Sequence, residues 1–267
     1  MMGNLGETKN EYTILRIEGA VGTIVLNHPE AMNALDSKMF DELQECTEEL
    51  LNNEDIGAII LTGSGKAFCA GGDLKRMSSG VEPMEGYAYM SGFHPWVRRF
   101  IGAQKPTIAA VNGYALGAGF SVALLSDLIV ASDRAQFGMA FANVGVIPDF
   151  AGLYTLTRAV GLPRAKELVY TAKNISAKQA MEWGIVNEVV EAERLLARAF
   201  ELASQLANGP RVALKLAKKL LNTSADMHLE QLLEAESQAQ ALCFQTRDHK
   251  NAIRAFLNKE KPVFTGE

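Results

Sequence analysis

Two glycine-bearing loops and one aspartate are the parts of this chain whose residue types and spacing suit catalysis. Cys69-Ala-Gly-Gly-Asp-Leu74 follows the apolar run Gly57–Thr62, and Gly113-Tyr-Ala-Leu-Gly-Ala-Gly119 follows Thr107–Val111. Glycine lets another group approach the main chain closely, and a loop that passes from a strand into a helix can leave N–H groups unpaired. Two such loops facing one point would hold an oxyanion between two donors. Ordinary turns use the same glycines, so both readings stand at this stage. The acid–base candidate is Asp149. Val146, Ile147, Pro148 and Phe150 surround it in sequence, with Phe141 close by. Burial among such groups disfavours the charged form and raises the pKa toward a useful general-base value. Asp149 is also well placed to cap a helix beginning at Phe150.

Other chemistries find no support. Gly113-x-x-x-Gly117-x-Gly119 has the wrong order for a dinucleotide fingerprint, and Gly63-Ser-Gly-Lys66 is followed by Ala67 where a phosphate loop needs Ser or Thr. There is no Gly-x-Ser-x-Gly elbow. His28, His94, His228 and His249 are far apart, so no metal site is expected. Cys46, Cys69 and Cys243 form neither a disulfide framework nor a zinc spacing. The net charge of −5 argues against general polyanion binding, and Arg211, Lys215, Lys218 and Lys219 read as a solvated helix face. Neither nucleic acid nor membrane is an expected partner. The first residues carry no apolar leader pattern, and a cytoplasmic setting is the expectation.

The elements that must position the loops are legible as patterns. Tyr12–Ile17 and Val21–Leu26 alternate as strands; Gly57–Thr62, Thr107–Val111 and Leu128–Ala131 are short apolar runs, the signal of strands buried on both faces. A helix capped by Asp36 or Ser37 carries Met39, Phe40, Leu43, Cys46, Leu50 and Leu51 on one face. A helical region is expected over 86–102, and helices over 150–160, 163–172, 176–184, 192–208, 210–222, 227–246 and 248–258, with Val186–Val190 as a strand between them. The class is α/β. Residues 1–200 form the core and 201–267 a helical assembly region, without a linker between them.

At the glycine loops the sequence resembles the crotonase superfamily, the enoyl-CoA hydratases and isomerases. The resemblance rests on motifs in order: Leu26-Asn-His-Pro-Glu-Ala-Met-Asn-Ala-Leu35, Ala58-Ile-Ile-Leu-Thr-Gly63, Lys66-Ala-Phe-Cys-Ala-Gly-Gly-Asp-Leu74, Lys105-Pro-Thr-Ile-Ala-Ala-Val-Asn-Gly-Tyr-Ala-Leu-Gly-Ala-Gly119, Ala135-Gln-Phe-Gly138 and Phe256-Leu-Asn-Lys-Glu-Lys-Pro-Val-Phe264. It implies a spiral of ββα units with a C-terminal helical trimerisation region, a homotrimer or dimer of trimers, and an acyl-CoA thioester as substrate. Coenzyme A is then part of the substrate, and no separate cofactor is implied.

The resemblance also implies roles. The thioester oxygen would accept hydrogen bonds from the Gly72 and Ala118 N–H groups. Ala31, Met32, Ala34, Ala70, Asp73, Leu74, Tyr114, Gly117, Phe141, Val146 and Pro148 would line the CoA and acyl groove, with Phe256 and Lys259 reaching CoA from the C-terminal helix, often that of a neighbouring subunit. The two glutamates of the hydratases fall at Ser121 and Phe141, so both acids are absent. A carboxylate appears instead at Asp149, as in the single-aspartate enoyl-CoA isomerases. The expected reaction is movement of a double bond from 3-enoyl-CoA to 2-trans-enoyl-CoA, or isomerisation of a related ring acyl-CoA, with Phe141 and Phe120 excluding water. The alternatives are a hydrolase or dehalogenase with Asp149 as nucleophile and His94 as base, a hydratase with non-standard acids, and a scaffold or RNA-binding relative.

Overall fold

The structure, a computed structural model, describes residues 5–73 and 82–267. Three apolar strands set the frame: β4 (Ala58–Gly63), β6 (Thr107–Val111) and β8 (Leu128–Ser132) lie side by side and parallel. After each, the chain steps into a second sheet through a three-residue strand: β5 (Ala67–Cys69), β7 (Tyr114–Leu116) or β9 (Gln136–Gly138). β5 pairs with β7 and β7 with β9, again in parallel. The chain thus climbs a spiral in which successive turns repeat the same two strands. This is the expected ββα spiral, and the short likeness between the two glycine loops is the sequence trace of two adjacent turns.

The larger sheet is completed by β1 (Leu5–Lys9), β2 (Thr13–Glu18), β3 (Val21–Leu26) and, beyond β8, β11 (Glu188–Val190); β10 (Asn174–Ser176) borders the smaller one. β1 has no apolar alternation to reveal it, because it is an edge strand held by backbone pairing to β2 alone.

Burial on both faces explains the unbroken apolar runs. On one face Ile59 and Leu61 of β4 join the main core with α1 (Ser37–Asn52), whose Asp36 carboxylate accepts the Met39 N–H at 2.8 Å as the expected cap. On the other face Ala58, Ile60, Ile108, Ala110 and Val130 meet Leu195, Ala199, Ala203 and Ala207 of a helix over 195–207. Alanine at every fourth position lets that helix lie close against the sheet.

The remaining helices, numbered in chain order, are α2 (Pro83–Gly92), α3 (His94–Ile101), α4 (Ala118–Ala123), α5 (Gly152–Thr171), α6 (Ala177–Glu182), α7 (Leu195–Ala207), α8 (Arg211–Ser224), α9 (Leu229–Gln245) and α10 (Arg247–Leu257). The expected single region over 86–102 is two helices meeting at Phe93, just before His94-Pro95. The expected break near 161 is a kink within α5, where Gly161 takes φ 74° and ψ 163° ahead of Pro163. The basic face on α8 also needs correction. The Lys218 side chain is only 9% exposed and its Nζ binds Asp127 Oδ2 at 2.7 Å, while Arg211 donates to the carbonyls of Ala207 and Glu54. Two of the four cations therefore fasten α8 to the core. No helix among the described residues is long and apolar enough to cross a membrane.

Candidate active site

The two glycine loops meet. Gly71 takes φ +117°, and a Cβ placed on it would lie 3.1 Å from the Leu116 carbonyl and 3.8 Å from the Ala118 nitrogen. Gly117 takes φ 53° as the residue before α4, and a Cβ there would lie 3.9 Å from the Gly71 Cα. Such conformations favour glycine. The closest approach is at Gly119, whose missing Cβ would stand 2.0 Å from the Cys69 carbonyl oxygen. Ala118 itself opens α4 with ordinary helical geometry, so its Cβ is no obstacle to a role for its N–H. Among the described residues neither the Ala118 nor the Gly72 N–H has an acceptor.

The loop after β3 runs alongside. Leu35 pairs with Gly72 in a parallel bridge, its N–H donating to the Gly71 carbonyl at 2.8 Å, and the Ala70 N–H donates to the Met32 carbonyl at 3.0 Å. Ala31 and Met32 are exposed while Ala34, Ala70 and Asp73 are half-buried, so these residues form one open rim beside Gly72. Leu74 lies outside the described residues.

Asn33, which sequence reasoning passed over, pins this rim. It is buried with φ 56°, its Oδ1 accepts the His28 N–H at 2.8 Å, and its Nδ2 donates to the Ser64 and Ala67 carbonyls at 2.9 and 2.8 Å. Asparagine tolerates the left-handed region, and its amide here satisfies three backbone groups. The only sequence signal was an Asn in the motif Ala31-Met-Asn-Ala34. Asn33→Ala is expected to lower stability by about 3 kcal/mol, since it strands buried polar groups; denaturant unfolding measures this.

Asp149 sits in the turn before α5. Phe150 and Ala151 take φ 46° and 58°, two consecutive non-glycine residues in the left-handed region. The Phe150 ring fixes that turn: it stacks on Phe93 at 4.8 Å and meets Phe40 and Trp96 edge-on at 5.9 and 6.1 Å. Strain held in place by packing of this kind is typical of functional turns. Asp149 does not cap α5, which starts at Gly152 behind Ala151 without a side-chain cap. Its Oδ1 is buried with no hydrogen-bond partner among the described residues, and burial pushes its pKa up to about 6. The buried Cys69 thiol, pushed up to about 12 mainly by desolvation, also feels the Asp149 charge, which ties Asp149 to the end of β5.

The surroundings of Asp149 differ in part from expectation. Pro148, Phe150 and Phe141 are buried, but Val146 and Ile147 are exposed, because the chain from Ala142 to Ile147 runs along the surface. Phe141 lies against the Gly117 turn, with its Cζ 3.9 Å from where a Gly117 Cβ would be. Phe120 is fully buried and packs on Phe137 at 5.3 Å in the core. Tyr114 is exposed at the start of β7, four residues before Ala118. Phe256, at the end of α10, and Lys259, just beyond it, are exposed. His94 is exposed at the first position of α3. No cluster of three or more His, Cys, Asp or Glu side chains suited to a metal occurs among the described residues.

Comparison with known proteins finds relatives along nearly the whole chain. The family model described as enoyl-CoA hydratase/isomerase matches residues 16–267. The short-chain-enoyl-CoA hydratase of Clostridium acetobutylicum is 39% identical, covering 93% of this chain and 95% of its own. The 1,2-epoxyphenylacetyl-CoA isomerase of Escherichia coli is 37% identical, covering 96% and 99% respectively. A crystal structure of enoyl-CoA hydratase subunit I from Geobacillus kaustophilus superposes with a TM-score of 0.92 at 40% identity, covering 97% of this chain and all of that one. The paired glycine loops, the spiral that joins them and these matches along nearly the whole length lead to one conclusion: the chain belongs to the enoyl-CoA hydratase/isomerase family, within the crotonase superfamily.

Proposed function

We propose that this enzyme isomerises an unsaturated acyl-CoA, moving the double bond of a 3-enoyl-CoA into conjugation to give 2-trans-enoyl-CoA. The thioester oxygen accepts hydrogen bonds from the Gly72 and Ala118 N–H groups, which lowers the pKa of the C2 proton. Asp149 removes that proton. The C2–H electron pair flows into a dienolate whose charge rests on the thioester oxygen, and Asp149 returns the proton to C4. One carboxylate serves both carbons because the substrate is held while the base pivots. Each oxyanion donor contributes roughly 3–4 kcal/mol to the transition state. Phe141, buried against Gly117, keeps water from the dienolate. The reaction is redox-neutral and needs no electron carrier.

The observation that carries this reading is the Asp149 carboxyl, raised in pKa by burial and with one oxygen unpartnered, while Ser121 and Phe141 stand where the resemblance to hydratases would put the two glutamates that add water. The relative named as an epoxyphenylacetyl-CoA isomerase favours a second version of the same chemistry, isomerisation of a ring acyl-CoA. A panel of 3-enoyl, 2-enoyl and ring acyl-CoA esters, followed by ultraviolet absorbance and mass spectrometry, separates bond migration from water addition. Isomerised product with hydration of crotonyl-CoA at least about a hundredfold slower is expected, the loss that follows from removing general acid–base groups. Robust hydration would overturn the assignment.

Assembly belongs to the same reading. Leu221, Phe256, Leu257 and Val263 of the C-terminal region are each at least 74% exposed, large apolar side chains that further copies of the chain would cover. Light scattering in solution is expected to give the mass of three or six chains; a monomer would refute it.

A further inference from the structure

Ser121 lies one helical turn beyond Ala118 on α4 and is fully buried, yet its Oγ has no hydrogen-bond partner among the described residues. The Asp149 Oδ1 is in the same condition. Buried polar atoms are rarely left unmatched, and each such case calls for an explanation. The start of α5 connects these two. The Gly152 N–H donates to the Asp149 carbonyl at 2.8 Å, and a Cβ on Gly152 would stand 2.3 Å from the Ser121 Oγ and 3.5 Å from the Pro148 Cβ. The serine hydroxyl is therefore laid directly over the turn that carries Asp149, and the absence of a side chain at Gly152 permits it.

We infer that Ser121 is the positioning residue of the Asp149 base, its hydroxyl donating through one ordered water to the Asp149 carboxylate and holding it ionised toward the substrate. The inference rests on the reading of Asp149 as the base. A hydroxyl suits this task because it stabilises the carboxylate without adding a second negative charge. A water between two polar atoms that otherwise lack partners is well placed to be ordered.

Other ionisable groups on the elements packed around this turn do not substitute for the serine. On β5 the Cys69 thiol is neutral, held up to about 12 by burial. On α1 and α3, Asp36 is occupied with the Met39 N–H, Arg99 pairs with Glu48 and His94 and Arg98 are exposed; on α5, Arg158 pairs with Asp226 and Tyr154 donates to it. Asp73 is half-buried beside Gly72 and has an interaction of its own.

The test is Ser121→Ala in the full-length enzyme, assayed for kcat/KM with a 3-enoyl-CoA across pH. Removing a donor to the ionised form raises the pKa of the base, so the acid limb is expected to move up by about half to one pH unit, with KM at pH 8 within about twofold of wild type. A purely structural serine would lower activity equally at every pH. An unmoved limb, or one moved to lower pH, overturns the inference. A second readout does not need turnover. The protonated-carboxyl infrared band lost in Asp149→Asn is expected to persist to higher pH in Ser121→Ala than in the wild type; identical titrations overturn the inference too. Full activity in Asp149→Asn would instead remove the base reading, while the infrared titration would still report whether Ser121 acts on the Asp149 carboxyl.

Discussion

Asp149→Asn is expected to lower isomerase kcat by on the order of 10³–10⁴-fold while KM for the CoA ester changes only a few-fold. Asparagine keeps the shape of the side chain and cannot take a proton from C2. The surfaces proposed to hold CoA, around Ala31, Met32 and Ala70, belong to other loops and stay as they are. Steady-state kinetics with a direct binding measurement separates the two effects; retention of more than a few per cent of activity would refute the assignment. In the wild type, kcat/KM is expected to rise as pH passes through about 6, because only the ionised carboxylate acts as base.

The same variant is expected to be more stable than the wild type at neutral pH. Burial lifts the Asp149 pKa from 3.8 to about 6, so between those values the folded protein holds a proton that the unfolded chain has released. Stability therefore falls as pH rises through that window, and the cost is complete above it. Its size is at most roughly 3 kcal/mol, from the two-decade difference in proton affinity. The asparagine variant escapes this cost, so its advantage in thermal unfolding should be present at pH 8 and gone near pH 4. An advantage that does not depend on pH would show that desolvation of the charge is not its source.

Gly119→Ala is the second large effect. Its new Cβ would meet the Cys69 carbonyl oxygen at 2.0 Å and the Cys69 Cβ at 2.8 Å. Because the obstacle is backbone of a buried strand, no side-chain rotation relieves it, and β5 and α4 must separate. Overpacking of this kind costs about 3 kcal/mol. It also moves Ala118, which opens α4, away from Gly72, which follows β5. Loss of one well-placed oxyanion donor lowers kcat by about 10²–10³-fold. Gly6→Ala is the control: no atom lies within 4 Å of its missing Cβ, and neither activity nor stability should change. A Gly119→Ala enzyme with wild-type kcat would mean that the spacing of the two loops does not govern the reaction.

The parts of the fold visible in the sequence were those with a period. The α1 face from Met39 to Leu50 and the apolar runs of β4, β6 and β8 showed themselves because burial acts on every second, third or fourth residue. β5, β7, β9 and β10 did not, since three residues carry no period, and the second sheet was invisible although it positions both glycine loops. At the site, Asp149 is legible through its residue type and apolar neighbours, of which Pro148, Phe150 and Phe141 are buried as expected. Val146 and Ile147 face outward, whereas Phe150 is held by Phe93 and Trp96, contacts far apart in sequence that no local pattern reveals. Asn33 and the buried face of Ser121 were missed for a related reason: a single polar residue reveals its partners only once the chain is folded.

The pairing of β5 with β7 also bears on how a family built this way can diversify. Neighbouring strands stand about 4.8 Å apart whatever lies between them in sequence. Because one proposed donor follows β5 and the other follows β7, their separation is inherited from adjacent rungs of a ladder. The length of the connection between Gly72 and β6 is therefore not what sets the distance between the donors. Exchanging residues 82–92, which precede the Phe93 and Trp96 contacts to Phe150, with the matching stretch of a relative should therefore leave the spacing of the two donors untouched.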